Sequence, residues 1–262
     1  MTSSEIGLRV ERRGRIAIWT LDRPDRKNAL SRAVVREIGR LSREAARDRE
    51  LRAVVLTGAG NAFCAGADLK ERQGMTLEDV RDFLSLYRES FGALDRMPRP
   101  TVAAIDGPAL GGGLELALAC DLRVASEGAT IGLPETSLAI IPGAGGTQRL
   151  TRLLGPGRAK ELVLLARRLT AAEALGLGLV NRVAPAGQSA LDCALEMAAH
   201  FESAAPVAIA AALEAIDAAS ELPIDAGLAL ERACYERTLE SKDRLEALAA
   251  FAEKRKPVYR GE

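Results

Sequence analysis

The chain has 262 residues, of which 48% are hydrophobic and 27% charged. That describes a globular protein able to bury a substantial core, as one large domain or two small ones. Its 36 basic and 36 acidic residues cancel, so no general attraction to nucleic acid or membrane is expected. No apolar run reaches the roughly 18 residues of a membrane span, and residues 1–15 lack the apolar core of a signal peptide, which predicts a cytoplasmic protein.

The four cysteines (64, 120, 193 and 234) are far apart and form no CxxC, which predicts buried, reduced thiols. His200 is the single histidine, and no GxSxG accompanies it. A Ser-His-Asp site, a Cys-His site and a histidine-based metal site are therefore not expected. Chemistry should fall to carboxylates and backbone.

In chain order, LRVE and RIAIWTL around Arg13-Gly14 read as two short strands. LDRPDRKNAL is a loop, and Ser31 is a plausible helix N-cap. Residues 32–47 predict a helix with Val34, Val35, Ile38, Leu41 and Ala45 inward. Arg32, Arg36, Arg40, Arg43 and Arg47 line up along it as a basic stripe. RAVVLT (52–57) is a buried-strand pattern ending at Gly58, and a Gly- and Ala-rich loop leads to the charged run Asp68–Arg72. Residues 76–96 form an amphipathic helix with core aromatics, broken by Met97-Pro98-Arg99-Pro100. Helices are expected at 148–154, 157–166 and 171–176, and a short strand at 179–183. From 188 to 254 the chain is nearly all helix, with breaks at Pro206 and Pro223.

Thr101–Gly146 stands out. An apolar run feeds Asp106-Gly107-Pro108. Gly111–Gly113 then open a helix, with Glu115 in its first turn, and Glu135 follows Pro134. Triple glycine lets backbone N–H groups face a ligand, and a helix start adds a positive dipole end. Together these favour an oxygen that becomes negative.

Three segments now converge: FCAGADLKE (63–71), DGPALGGGLELALACDLRVA (106–125) and IGLPETSLAIIPGAGGTQRL (131–150). In this order they resemble the crotonase, or enoyl-CoA hydratase/isomerase, superfamily. The resemblance runs from the RPxxxNAL loop (23–30) to AFAEKRKP (250–257). DLKER, LGGGLELALACD, SLAIIP and the segment 233–255 lean toward the 3-methylglutaconyl-CoA hydratases of leucine breakdown.

The resemblance implies an α/β fold: a spiral of ββα repeats over residues 1–185, with a helical trimerisation region over 186–262. It implies an acyl-CoA thioester substrate and an enolate-like intermediate, with no metal or redox cofactor. The backbone N–H groups of Ala67 and Gly112 would form the oxyanion hole. Glu115 would deprotonate water and Glu135 would protonate Cα, with the Gly143 N–H helping to hold the water. CoA would meet Arg26, Lys27, Ala29, Ala65, Ala67, Asp68 and Leu69, and a neighbouring subunit's Phe251 and Lys254. A hexamer built as a dimer of trimers is the usual assembly.

A distal substrate carboxylate would need a cation, and Arg72 and Lys70 are nearest in sequence. The rival enzyme reading is a general short-chain enoyl-CoA hydratase. A rival of another class is RNA binding through the arginine stripe, which Glu37 and Glu44 interrupt. A non-catalytic scaffold is disfavoured by the presence of both glutamates.

Overall fold

The computed structural model describes residues 6–262, so part of the N-terminal segment read for a leader lies outside the described residues. Elements follow in chain order: β1 (Leu8–Arg13), β2 (Ile16–Leu21), α1 (Arg32–Arg47), β3 (Ala53–Gly58), α2 (Leu69–Arg72), α3 (Leu77–Asp95), β4 (Thr101–Ile105), β5 (Pro108–Leu110), α4 (Gly112–Leu118), β6 (Leu122–Ala125) and β7 (Thr130–Gly132). Then come α5 (Gly146–Leu154), α6 (Pro156–Leu164), β8 (Arg168–Thr170), α7 (Ala171–Leu177), β9 (Arg182–Val183), α8 (Ala190–Glu202), α9 (Pro206–Ala218), α10 (Ile224–Leu239) and α11 (Lys242–Ala252).

Six strands form one sheet in the order β1-β2-β3-β4-β6-β9, and β5-β7-β8 form a second. The β1–β2 hairpin is antiparallel, and every later pair of the large sheet is parallel. Apolar residues on both faces of β2, β3 and β4 require cover on both sides. One face, with Trp19, Leu21, Val54, Leu56, Ala103 and Ile105, packs into the main core with α1 and α3. The other, with Ile16, Val55, Val102, Ala104 and Val124, is covered by Ala190, Cys193, Ala194 and Ala198 of α8. The first helix beyond residue 185 therefore belongs to the sheet's packing. Small residues on α8 let it lie close to the strands.

Local chemistry explains the helix ends. Ser31 Oγ accepts from the Val34 N–H, as an N-cap should. Thr76 and Asp79 form a reciprocal capping box at α3. Two expectations change. The strand at 179–183 shrinks to Arg182–Val183, because Leu179 and Val180 are buried in the turn after α7, with N–H groups bonded to the Ala174 carbonyl. The C-terminal helices also break at Glu240-Ser241, where the Ser241 side chain accepts from the Arg244 N–H and starts α11. All four cysteines are buried and free. Among the described residues no single helix is long and apolar enough to cross a membrane.

Candidate active site

The site is built where the loop after β3 threads between two other segments. The Cys64 N–H donates to the Pro108 carbonyl and the Leu110 N–H to the Cys64 carbonyl, both at 3.0 Å, which ties the loop to β5. On its other side, the Leu30 N–H donates to the Gly66 carbonyl (2.8 Å) and the Asp68 N–H to the Leu30 carbonyl (3.0 Å). The groups on either side of Ala67 are thereby used, and its own N–H is left over. Gly112 is the first residue of α4, so its N–H has no intrahelical partner either. The two face each other: a Cβ built on Gly112 would lie 3.6 Å from Ala67 N, and one on Gly66 would lie 3.4 Å from Gly112 N. The expected pair of donors is therefore brought together across one gap.

The neighbouring glycines do different work. Gly111 has φ +54°, and a Cβ there would stand 3.1 Å from Glu135 Oε1. Gly113 packs so tightly on the loop that a Cβ would come within 2.2 Å of the Cys64 carbonyl oxygen. Any larger residue at 113 would push α4 off the loop.

Glu115 lies on the inner face of α4, 3% exposed. Its Oε1 accepts from the Ala144 N–H at 2.7 Å and the Gly146 N–H at 2.8 Å. Burial raises its pKa, and those two hydrogen bonds, with the charges of Arg149 and Arg72, oppose the rise. Glu135 opens a 3-10 turn after Pro134 and is 8% exposed. Burial, then the charge of Glu115, pushes its pKa up to about 7. Its Oε2 is buried without a hydrogen-bond partner. Two carboxyl groups thus lie within electrostatic reach of each other in different states: one held as an acceptor by backbone, the other able to hold a proton near neutrality.

Several supporting residues were missed by sequence reasoning. The water-positioning role falls on Gly143 by motif, yet the N–H groups bonded to Glu115 belong to Ala144 and Gly146. Arg149 holds the Ala144 carbonyl at 3.1 Å and is itself anchored on Asp95 at 2.8 Å. Asn28, buried at φ +56°, accepts from the Arg23 N–H and donates to the Ala59 and Ala62 carbonyls. The asparagine inside the RKNAL loop is the available signal, because asparagine tolerates the left-handed conformation that Lys27 and Asn28 adopt. Tyr87, read as core, is only 3% exposed, yet its hydroxyl has no partner, and it lies within electrostatic reach of Glu115 and Arg72.

The other expected residues divide. Arg26, Lys27, Ala65 and Leu69 are exposed around the loop, and Ala29 is half-buried. Asp68 turns inward instead: it caps α2 through the Lys70 and Glu71 N–H groups and pairs with Arg23 at 2.8 Å. Its carboxylate is committed to loop structure, and only its backbone stays at the site. Arg72 is half-buried with Nε unpartnered, whereas Lys70 is exposed. Phe251 and Lys254 stand exposed at the end of α11. The arginine stripe is partly neutralised. Arg32 donates to the Asp79 carbonyl at 2.6 Å and lies over the Phe83 ring, and Arg40 is clamped by Glu37 and Glu44.

Comparison with known proteins agrees with this geometry. A sequence profile of the enoyl-CoA hydratase/isomerase family matches residues 11–262. The chain is 46% identical to the mitochondrial methylglutaconyl-CoA hydratase of Homo sapiens over 259 residues, 97% of this chain and 76% of that protein. It is 48% identical to the enoyl-CoA isomerase/hydratase fer4 of Mycosarcoma maydis over 250 residues, 92% of this chain and 91% of that one. The crystal structure of an enoyl-CoA hydratase from Bacillus anthracis superposes with a TM-score of 0.94 at 46% identity, covering 98% of this chain and all of that one. With profile, relatives and fold in agreement over nearly its whole length, the chain belongs to the enoyl-CoA hydratase/isomerase family, on the crotonase fold.

Proposed function

We propose that the protein adds water syn across the double bond of an unsaturated acyl-CoA, with 3-methylglutaconyl-CoA as substrate and 3-hydroxy-3-methylglutaryl-CoA as product. The observation that carries the hydration is the pairing of Glu115, fixed by two backbone N–H groups, with Glu135, whose pKa rises to about 7.

The thioester oxygen would sit between the Ala67 and Gly112 N–H groups. As the C–O bond forms at Cβ, negative charge moves onto that oxygen. The two donors stabilise it there, each contributing about 2.7–4 kcal/mol by the measure of single-donor deletions in other enzymes. Glu115 takes one proton from the attacking water, which the Gly143 segment helps to hold. Glu135 delivers its proton to Cα as the enolate collapses. Both protons and the water oxygen are then accounted for, and the next turnover needs one proton passed from Glu115 back to Glu135. No metal or redox group takes part in these steps.

CoA would lie along Arg26, Lys27, Ala29, Ala65 and Leu69. The distal carboxylate of a glutaconyl group would meet Arg72, whose guanidinium makes no ion pair among the described residues and lies within electrostatic reach of Glu115. A hexamer built as a dimer of trimers would cover the apolar side chains left open on α10 and α11, such as Ile224 (74% exposed) and Phe251 (86%), and bring Lys254 to a neighbour's CoA. Four buried free thiols fit a reducing, cytoplasmic setting.

Parallel turnover measurements on crotonyl-CoA and 3-methylglutaconyl-CoA test the reading. A kcat/KM at least tenfold higher for 3-methylglutaconyl-CoA is expected. The reverse preference would identify a general short-chain hydratase, and no hydration of either would overturn the activity. Light scattering on the eluting protein tests the hexamer.

A further inference from the structure

Far from both glutamates, a cavity of about 200 Å³ lies between the α1–β3 loop, the start of α9 and the C-terminal tail. Four arginines line it: Arg49, Arg99, Arg237 and Arg260. Arg99 spends its two terminal nitrogens on the Pro98 carbonyl (2.7 Å) and the Asp48 carbonyl (3.3 Å), and its Nε is buried with no partner. Within electrostatic reach of Arg99 is Arg52, 3% exposed, with Nε and one terminal nitrogen also unpartnered.

Of the nearby acids, Glu214 pairs with one cavity arginine, Arg237, and the others make their hydrogen bonds to backbone or to cations outside the cavity. Asp48 pairs with Arg12 and accepts from the Glu50 and Leu51 N–H groups. Asp243 accepts from the Arg260 and Gly261 N–H groups. Glu50 pairs with Arg15, Glu214 with Arg237 and Glu262 with Lys242. Among the described residues Arg49, Arg52, Arg99 and Arg260 make no ion pair, although Glu262 lies within electrostatic reach of Arg49 and Arg260.

Burying guanidinium charge without a counter-charge is expensive. Burial, then the charges of Arg15 and Arg99, lower the pKa of Arg52, and Glu50 and Asp243 only partly oppose this. The compensating ligand must be small, multiply charged and rich in acceptor oxygens, because four guanidinium groups line a cavity of about 200 Å³. Guanidinium forks match the oxygens of a tetrahedral oxyanion.

From these residues we infer that the Arg49–Arg99–Arg237–Arg260 cavity is an anion site for a phosphate-class dianion, separate from the acyl-CoA site. Its occupant ties the C-terminal tail and α9 to the loops that lead into β3 and β4, the central strands of the large sheet. The site therefore acts on stability of the helical region, not on the chemistry.

Thermal unfolding and titration calorimetry with inorganic phosphate, against sodium chloride at equal ionic strength, test the inference. Saturable binding is expected, with Tm rising by about 2–5 °C in phosphate over chloride. Arg99→Gln should weaken phosphate binding at least tenfold. It should also unfold later than the natural chain in phosphate-free buffer, because it removes a half-buried guanidinium that makes no ion pair among the described residues and is opposed only by the more distant charge of Asp48. Arg260→Gln, on the exposed tail, serves where Arg99→Gln fails to fold; it too should lose the phosphate response while keeping kcat unchanged. Three outcomes overturn the site: a phosphate effect matched by chloride, an effect of equal size in natural chain and variants, or variants that leave phosphate binding intact and instead change the molar mass. The last would mean that a second copy's carboxylate fills the cavity.

Discussion

Gly146 both holds Glu115 and crowds it: its N–H donates to Glu115 Oε1 at 2.8 Å, and a Cβ on the same residue would lie 2.9 Å from that oxygen. The hydrogen bond therefore exists only while position 146 carries no side chain. Gly146 lies in the first turn of α5 with no positive φ, so alanine meets no backbone obstacle there. Gly146→Ala should fold normally and displace the carboxylate. Displacements near 1 Å can cost about 10²-fold in rate. A kcat down by about that factor, with KM little changed, is the expected result in steady-state kinetics. A variant with full kcat would show that Glu115 need not sit where these N–H groups hold it.

The raised pKa of Glu135 predicts one falling pH limb shared by the two directions of the reaction. Hydration needs the proton on Glu135 with Glu115 ionised, and dehydration needs the same proton on Glu115 with Glu135 ionised. The two forms carry equal charge, so kcat/KM in both directions should fall together as pH rises through about 7. A kcat/KM that stays flat across that range would remove Glu135 from the proton transfer at Cα.

The same group links stability to pH. Unfolded, Glu135 titrates near 4.5; folded, near 7. Between those values the folded chain binds the extra proton, so stability falls as pH rises across the window. Glu135→Gln removes the penalty. It should equal the natural chain near pH 4 and exceed it at pH 8 by on the order of 2 kcal/mol, less than the full shift implies because the carboxyl is partly open to solvent. Urea unfolding at the two pH values measures this.

The frame of the site was legible because local signals agreed with one another. Ser31 caps the helix it was expected to cap, and Gly111–Gly113 do open a helix with Glu115 in its first turn. What stayed hidden is contact between segments far apart in sequence. Nothing in the residues around Ala144 says that its N–H will meet a carboxylate on another helix, or that Arg149, tethered to Asp95, will hold its carbonyl. The part played by the Asp68 side chain stayed hidden for the same reason: a charged residue beside a binding loop is as readily a cap as a ligand, and only the position of Arg23 shows that the carboxylate is engaged within the loop. The arginine stripe had its helical spacing right, but two of its five members find acids, one of them across on α3.

Asn28 is expected to be a strong stability determinant of the RPxxxNAL loop. It makes three hydrogen bonds at 2.7–2.9 Å and adopts φ +56°. Asn28→Ala loses all three and keeps the left-handed conformation with a Cβ, so a loss of about 2–4 kcal/mol is expected. Asn28→Gly loses the same bonds without the steric cost and should be milder by about 1 kcal/mol. Denaturant midpoints of the two variants separate the contributions; equal losses would show that the backbone conformation carries no strain.

Tyr87 and Arg72 offer the sharpest test of the substrate. The Tyr87 ring is held between Phe83 (4.6 Å, stacked) and Phe91 (5.2 Å, edge-on), so its buried, unpartnered hydroxyl cannot swing out to solvent without breaking the stack. A buried donor without an acceptor costs about 1–3 kcal/mol. Tyr87→Phe should therefore raise the stability of the free protein by about 1 kcal/mol. Arg72→Ala removes a cation rather than a neutral donor, so its effect should depend on the acyl group. With 3-methylglutaconyl-CoA, KM should rise at least tenfold, since a charge-assisted hydrogen bond is worth about 1.5–3 kcal/mol. With crotonyl-CoA, which offers no second carboxylate, KM should stay within about twofold. Equal losses on the two thioesters would mean that Arg72 supports the cavity wall and does not read the distal charge. Charge-dependent selectivity would then have to come from another cation, and Lys70, exposed beside the loop, is the first residue to replace.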